Sequence, residues 1–148
     1  MASIIASVVL AIGTVIADLA IKQIVLSGTA RESLNALYAA DTGTECALFL
    51  DFRYNDSTQA AFNPSPAVCN GQTFSISPAA YTDTEGTWMR STFRVTLVNG
   101  DSAGACADVI VDKRAPVAGE IKTRLQARGY NICAGGGRRV ERALQVEY

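Results

Sequence analysis

The sequence predicts an α+β protein, in which one long N-terminal helix precedes an antiparallel sheet of four or five strands. Residues 2–17 carry no charge, and no proline occurs before Pro64, so one helix can run from about residue 3 to about residue 52. Beyond residue 72, apolar side chains recur at every second position, which is the period of a half-buried strand. A helix followed by a run of strands is an α+β pattern, and such a sheet needs the helix to cover its apolar face.

We expect three segments. Residues 1–30 form an apolar helix for a membrane or a filament core, residues 31–54 continue that helix in amphipathic form, and residues 55–148 form a sheet head with two disulfides. About twenty helical residues span a hydrocarbon core of about 30 Å. No basic region precedes the apolar run as in a secretory signal, so we expect either a permanent anchor or a mature start left by a removed leader.

Two kinds of residue interrupt the apolar helix. Asp18 and Lys22 stand one turn apart, so the two charges can enter an apolar environment as a pair; the alternative is that both lie at the membrane edge and reach toward water. Gly13-Thr14 is its weakest helical point, since glycine costs about 1 kcal/mol relative to alanine, and Gly28 is a second weak point. We expect Gly13-Thr14, alone or together with Gly28, to be locally extended or without helical hydrogen bonds once copies assemble.

The continuation of the helix carries a stripe of small residues that would let a sheet approach closely. Asp41 and Glu45 lie on another face as a like-charged pair, which is mildly unfavourable unless a basic side chain binds to it. The stripe consists of Ala36, Ala39, Ala40, Gly43, Ala47, Leu50 and Tyr54.

Alternating segments predict the strands of the head at residues 73–77, 91–99, 105–111, 119–128 and 138–148. A helix is possible for residues 119–128, but alternation over eight residues favours a strand. Turns are expected at Asn99-Gly100 and at Gly135-Gly136-Gly137. The side chains expected to face inward are Phe74, Ile76, Phe93, Val95, Leu97, Ala105, Ala107, Val109, Val111, Ile121, Thr123, Leu125, Ala127, Val140, Leu144, Val146 and Tyr148.

Four cysteines, Cys46, Cys69, Cys106 and Cys133, follow the apolar segment, and no pair has CxxC spacing. Two disulfides are therefore the economical interpretation. Pairing Cys46 with Cys69 and Cys106 with Cys133 closes loops of moderate size, each contributing about 3–4 kcal/mol in the chain-entropy model. The other two connectivities remain open from sequence.

Charge is segregated along the chain although the net charge is -1. Residues 32–112 carry ten acidic side chains against three arginines, whereas residues 113–148 carry eight basic side chains against three glutamates. One interpretation is that acidic and basic strands lie side by side in one sheet. The other is charge complementarity between copies of the protein.

The composition argues against enzymatic activity. There is no histidine, which removes imidazole base catalysis, the Ser/His and Cys/His nucleophile pairs and most zinc sites. Asp41-Thr42-Gly43 matches the triplet of aspartic proteases, but it lies in an alanine-rich helical context instead of ending a strand. We therefore expect that the protein is not an enzyme and that it binds no cofactor.

Two basic features suggest phosphate or nucleic acid as ligands, and we rank both below a structural role. The run Gly135 to Arg139 leads into a predicted strand, whereas a phosphate loop leads into a helix. The cluster of basic residues has two nearby tyrosines for base stacking, and the net charge is balanced, so nucleic-acid binding is not favoured. The cluster comprises Lys122, Arg124, Arg128, Arg138, Arg139 and Arg142.

The long apolar helix ahead of an antiparallel sheet resembles a type IV pilin. More specifically, Ala30-Arg31-Glu32-Ser33 and Leu37-Tyr38-Ala39-Ala40-Asp41-Thr42-Gly43-Thr44-Glu45-Cys46-Ala47-Leu48 resemble the PilX-like pilins of ultrasmall candidate-phyla bacteria (Patescibacteria). The segments Arg128-Gly129-Tyr130-Asn131-Ile132-Cys133 and Arg138-Arg139-Val140-Glu141-Arg142 are also similar to that family.

The resemblance implies a pilus subunit, held in the inner membrane before a prepilin peptidase and the assembly machinery convert it into an extracellular helical homopolymer. Adhesion to host cells, motility and DNA uptake all use such subunits. Pilins usually have glutamate at mature position 5, where this chain has Ile5, so either Met1 is not the mature start or this branch dispenses with the glutamate. The competing class is a membrane-anchored protein that never polymerises, such as a pseudopilin-like secretion component or an adhesion ectodomain.

Two sets of residues would then join the copies. We expect hydrophobic association in a filament core and weak charge contacts between heads, since exposed ion pairs contribute about 0–1 kcal/mol each. The core set is Ile4, Ile5, Val8, Val9, Leu10, Ile12, Gly13, Val15, Ile16, Asp18, Leu19, Ile21 and Lys22. The charge set is Asp41, Glu45 and Asp51 against Arg124, Arg128, Arg138, Arg139 and Arg142.

Overall fold

The computed structural model describes residues 2–55, 61–84, 86–97, 104–114, 121–134 and 137–148. Within these ranges one helix and seven strands form, and the chain divides into a first unit that ends at Glu32 and a second unit, the head, of Ser33–Tyr148. The elements are α1 (Ala2–Tyr54), β1 (Val68–Cys69), β2 (Gln72–Thr73), β3 (Ala79–Asp83), β4 (Gly86–Thr96), β5 (Cys106–Arg114), β6 (Lys122–Tyr130) and β7 (Glu141–Glu147).

The head contains a five-stranded antiparallel meander in the order β3-β4-β5-β6-β7, and β1 and β2 pair separately. Each strand of the meander pairs with the next strand along the chain. The part of α1 that belongs to the head packs on one face of this sheet, so the predicted α+β class is confirmed.

The core lies between the helix and the sheet, and alternate residues of the strands contribute to it. In each of the three middle strands, alternate residues are buried and contact the helix residues Ala47 and Leu50 or one another, with Phe62 from the connecting loop. Most of the predicted inward set is thereby confirmed for the middle strands. The buried strand residues are Phe93 and Val95 of β4, Ala107, Val109 and Val111 of β5, and Leu125 and Ala127 of β6.

The predicted strands differ from the observed ones at four places. β3 was not predicted because most of its residues are exposed, so its sequence has no apolar alternation, and backbone pairing with β4 holds it. β4 begins at Gly86, five residues before the predicted start, and β7 begins at Glu141. In the predicted strand 73–77 only Thr73 is in a strand, although Phe74 and Ile76 do pack against the core. Residues 98–100, 119–120 and 135–136 of the predicted strands and turns lie outside the described residues.

Both disulfide pairings are as predicted, and the other connectivities are excluded. Cys46 joins Cys69 and Cys106 joins Cys133, with Cα–Cα distances of 5.8 and 5.7 Å. The first bond ties α1 to β1, and the second ties β5 to the segment that follows β6. The head is thus cross-linked at two places of its own fold.

Candidate assembly surfaces

The apolar segment of α1 exposes its large side chains on every side. From Ile4 to Leu26 these side chains are 50–72% exposed, and the helix is long and apolar enough to cross a membrane by length and composition. A helix that is apolar all round belongs in a membrane or in the core of a larger assembly. The segment includes every large apolar residue predicted for the filament core: Ile4, Ile5, Val8, Val9, Leu10, Ile12, Val15, Ile16, Leu19 and Ile21.

The charges of this segment pair with each other. Lys22 Nζ lies 2.8 Å from Asp18 Oδ2, as the i, i+4 spacing predicted, so the pair presents no net charge to its surroundings. Gly13 and Gly28 both lie within regular helix, with nothing near the position that a Cβ would take. The local extension expected at these glycines concerns assembled copies and stays a prediction.

The head part of α1 rests almost directly on the sheet. Ala36, Ala39 and Ala40 are fully buried. A Cβ added to Gly129 of β6 would overlap the carbonyl oxygen of Ala36 and the amide nitrogen of Ala40, and one added to Gly43 would lie 2.7 Å from the Cβ of Ala107. As predicted, the small residues of the stripe let the helix and the sheet approach each other closely. Tyr54, at the end of the stripe, differs because it is exposed.

The opposite side of the same helix carries large apolar side chains. Spacings of three and four residues place six exposed residues on one arc, which we call the outer helix face. Its two acidic members have no ion pair among the described residues, and its four apolar members are 50–71% exposed. The outer helix face consists of Leu34, Tyr38, Asp41, Glu45, Phe49 and Phe52.

Cross-strand ion pairs cover the face of the sheet that lies away from the helix. Arg94 binds Asp108 at 2.5 Å and Arg90 binds Asp112 at 2.8 Å, and these hydrogen bonds raise the pKa of both guanidinium groups. The register of β5 with β6 sets Arg128 opposite Asp108. Asp112 likewise lies opposite Arg124, so the acidic and basic segments of the chain meet side by side in one sheet at β5 and β6, as one of the two interpretations predicted.

A tryptophan on this charged face is completely covered. Trp88 has no exposed surface, and the guanidinium carbons of Arg114 and Arg124 lie 5.0 and 4.8 Å from its ring centroid. Cation–π contacts of this kind are favourable. Arg124 also binds Glu147 at 2.7 Å, and that hydrogen bond lowers the pKa of the carboxyl group. Arg124 thus has partners in its own sheet, and its predicted contact with another copy stays a prediction.

Asp51 does not belong to the surface, so its prediction as a contact between copies was wrong. Its side chain is 5% exposed, and its carboxylate binds Lys113, Asn55 and Tyr148 of the same head. Burial and the hydrogen bond to Asp51 raise the pKa of Tyr148. The sequence did contain a signal: Asp51 continues the buried series Gly43, Ala47 at intervals of four.

Lys113 was also missed as the partner of Asp51. It continues the alternation of Ala107, Val109 and Val111, so its position on β5 faces inward although its side chain is charged. The helical period of α1 and the alternation along β5, taken together, would have placed Asp51 and Lys113 side by side. The sequence signal for this buried pair is therefore a charged residue at a position where the pattern of buried residues predicts an apolar one.

The remaining predicted cations collect around the β6–β7 connection. Arg128, Arg138, Arg139 and Arg142 are exposed there. Arg139 lies 3.8 Å from the ring centroid of Tyr130. Arg142 donates a hydrogen bond to the Ser33 hydroxyl at 2.8 Å. These arginines are accessible, and whether they contact other copies stays a prediction.

The motifs that suggested catalysis or ligand binding can be located in the structure. Asp41-Thr42-Gly43 lies within α1, with Asp41 exposed and Gly43 packed against β5, instead of ending a strand as in an aspartic protease. Among the described residues no group of three or more His, Cys, Asp or Glu side chains could hold a metal ion. The Gly135-Gly136 part of the glycine run lies outside the described residues.

Comparison with known proteins gives no relative from which a role could be carried over. No family model, no curated protein and no solved structure matches this chain.

Proposed function

We propose that this protein is a structural subunit that polymerises through α1 into an extracellular filament of the type IV pilus kind. The observation that carries the proposal is that α1 exposes large apolar side chains along nearly its whole length, from Ile4 in the first unit to Phe52 in the head. Its role is mechanical, without a catalytic site or a cofactor.

The apolar segment needs a cover. Each large aliphatic side chain gains about 1.5–3 kcal/mol when it is removed from water, so the series from Ile4 to Leu26 strongly disfavours a free, dissolved chain. Lipid supplies this cover before assembly, consistent with an inner-membrane anchor. Copies of the same helix supply it after extraction from the membrane.

The outer helix face favours copies over lipid alone. The segment up to Leu26 already has the length that a bilayer needs. Tyr38, Phe49 and Phe52 come later along the helix and are exposed within the head. Exposed apolar patches of this kind mark contacts with other proteins. An apolar helix of a neighbouring copy would cover this face, while Asp41 and Glu45 would restrict the registers in which it can lie.

The head suits a location outside the cell. Disulfides form and persist in oxidising surroundings, and two are present here. In this proposal the prepilin peptidase and the assembly machinery are partners during assembly. In the finished filament the charged sheet face is outward, where it would meet host-cell surfaces or other targets.

The test is electron microscopy of material sheared from cells that produce the full chain, with mass spectrometry to identify the subunit. We expect long fibres composed of this protein. The double variant Tyr38→Ser/Phe52→Ser should yield no fibres although the chain still enters the membrane. Val68→Ser, which removes an exposed apolar side chain of β1, is the matched control and should leave the fibres intact.

The contrary result is a wild-type chain that remains in the membrane fraction while the sheared fraction contains no fibres of it. That result would identify the competing class, a membrane-anchored protein that does not polymerise. Loss of fibres in the Val68→Ser control would show that the outer helix face has no special role.

A further inference from the structure

A buried polar cluster lies where the end of α1 meets β5. The side chains of Lys113 and Asp51 are 2% and 5% exposed, and Asn55 is 8% exposed. We propose that this cluster forms a covalent bond within the chain: an amide between the side-chain nitrogen of Lys113 and the side-chain carbonyl carbon of Asn55. This modification is independent of whether the protein polymerises.

One carboxylate oxygen joins the two reacting groups. Asp51 Oδ1 lies 2.6 Å from Lys113 Nζ and 2.9 Å from Asn55 Nδ2. The nucleophile and the leaving nitrogen are therefore held side by side on the group that would transfer protons between them. The other oxygen, Oδ2, accepts a hydrogen bond from the Tyr148 hydroxyl at 2.7 Å, which fixes the orientation of the carboxylate.

The electrophile is also held in place. Asn55 Oδ1 accepts a hydrogen bond from the backbone N–H of Asn63 at 3.1 Å, and Asn55 Nδ2 donates a second hydrogen bond to the carbonyl oxygen of Ala61 at 3.3 Å. Negative charge develops on Oδ1 when an amine attacks this carboxamide. A fixed backbone donor at that oxygen stabilises the charge as an oxyanion hole does.

The reaction balances without an oxidant or a co-reactant. The Lys113 ammonium group passes a proton to the Asp51 carboxylate that it contacts, which gives a neutral amine and a neutral acid. Nζ then attacks the side-chain carbonyl carbon of Asn55. Asp51 returns its proton to the Asn55 nitrogen, the carbon–nitrogen bond of the carboxamide breaks, and ammonia leaves. Nζ, which carries one proton too many for an amide after its attack, gives that proton to the ammonia, which leaves as ammonium, and Asp51 is again a carboxylate.

The amide bond would add a covalent link that the Cys46–Cys69 disulfide does not provide, between the helix and the five-stranded sheet. The Cys46–Cys69 disulfide joins α1 to β1, which lies outside the five-stranded sheet. An amide from Asn55 to Lys113 would join the end of α1 directly to β5, the central strand of that sheet. A pull on the helix would then reach the sheet through a covalent bond.

The test is the intact mass of the full wild-type chain under denaturing conditions, followed by tandem mass spectrometry of its peptides. After allowance for two disulfides, we expect a mass lower than the sequence mass by one ammonia, and a branched peptide that joins Asn55 to Lys113. Lys113→Arg and Asp51→Asn should both show the full sequence mass. Lys122→Arg, a lysine substitution on the other face of the sheet, is the control and should retain the loss.

Three results would overturn the proposal. The first is a wild-type chain at its full sequence mass. The second is a loss of ammonia without a branched peptide, as cyclisation of an asparagine would give. The third is a branched peptide that joins Lys113 to Asp51 with loss of water, which would exclude Asn55 as the electrophile. Because the mass and the peptides of the wild-type chain decide the main question, the folding of the variants does not limit the test.

Discussion

The two parts of α1 differ in what their small and large residues do. In the first unit, large apolar side chains are exposed on all sides, and Gly13 and Gly28 have free space around them. In the head, small residues and Leu50 are buried against the sheet, and the four large apolar residues of the outer helix face are again exposed. The helix therefore contacts its own head mainly through small residues and leaves most of its large apolar side chains exposed.

The same glycine substitution should have different effects on stability in the two regions. Gly129→Ala should lower the free energy of unfolding of the head by at least about 3 kcal/mol, because the new methyl group overlaps the backbone at Ala36 and Ala40. Gly28→Ala should be neutral or stabilise the helix by up to about 1 kcal/mol. Thermal unfolding of the full chain in detergent micelles measures both, with near-UV circular dichroism for the head and far-UV circular dichroism for the first unit, whose sequence up to Glu32 contains no aromatic residue. Equal effects of the two substitutions would contradict the close approach of helix and sheet.

The next largest effect concerns the disulfide between α1 and β1. The double variant Cys46→Ala/Cys69→Ala should destabilise the head by about 3 kcal/mol, since it releases a loop with a sequence separation of 23 residues. The helicity of the first unit should not change, because neither cysteine lies in it. Denaturant unfolding of the head and far-UV circular dichroism of the whole chain separate the two effects. A loss of helicity in the first unit without destabilisation of the head would refute this division.

The smallest effect concerns the end of the chain. Tyr148→Phe removes the hydrogen bond to the Asp51 carboxylate and should cost about 1.5 kcal/mol near neutral pH. Because the pKa of Tyr148 is raised in the folded head, its contribution is complete below the ordinary tyrosine pKa of about 10 and is lost as the pH rises through the raised value. The wild-type head should therefore lose stability in alkali more steeply than the variant. Parallel curves of stability against pH would contradict the assignment; Tyr81, whose pKa is also raised, contributes to both curves.

The regular features of the fold were predictable from local patterns. Helix phase placed the small-residue stripe, alternation placed the inward faces of β4, β5 and β6, and chain order suggested both disulfides. Strand β3 could not be found in this way, because it is an edge strand with mostly exposed residues and depends on backbone pairing with β4.

Charged residues were harder to place than apolar ones. Asp51 and Asp41 look equivalent in the sequence, yet the first is buried beside Lys113 and the second is exposed on the outer helix face. Burial of Asp51 becomes visible only when the phase of the helix and the phase of β5 are combined, because each charge alone argues for a surface position. The contacts of Arg114 and Arg124 with Trp88 depend on tertiary positions that no local pattern encodes.

In the filament that we propose, other copies of the protein cover the exposed apolar surface of α1. Treatment of sheared fibres with either salt or mild detergent, followed by negative-stain microscopy, tests it directly. About 1 M salt shortens the screening length to about 3 Å and weakens exposed ion pairs, whereas detergent competes for apolar surface. We expect fibres that survive the salt and dissolve in the detergent. Fibres that fall apart in salt and persist in mild detergent would show that charge contacts between heads, and not the helices, hold the copies together.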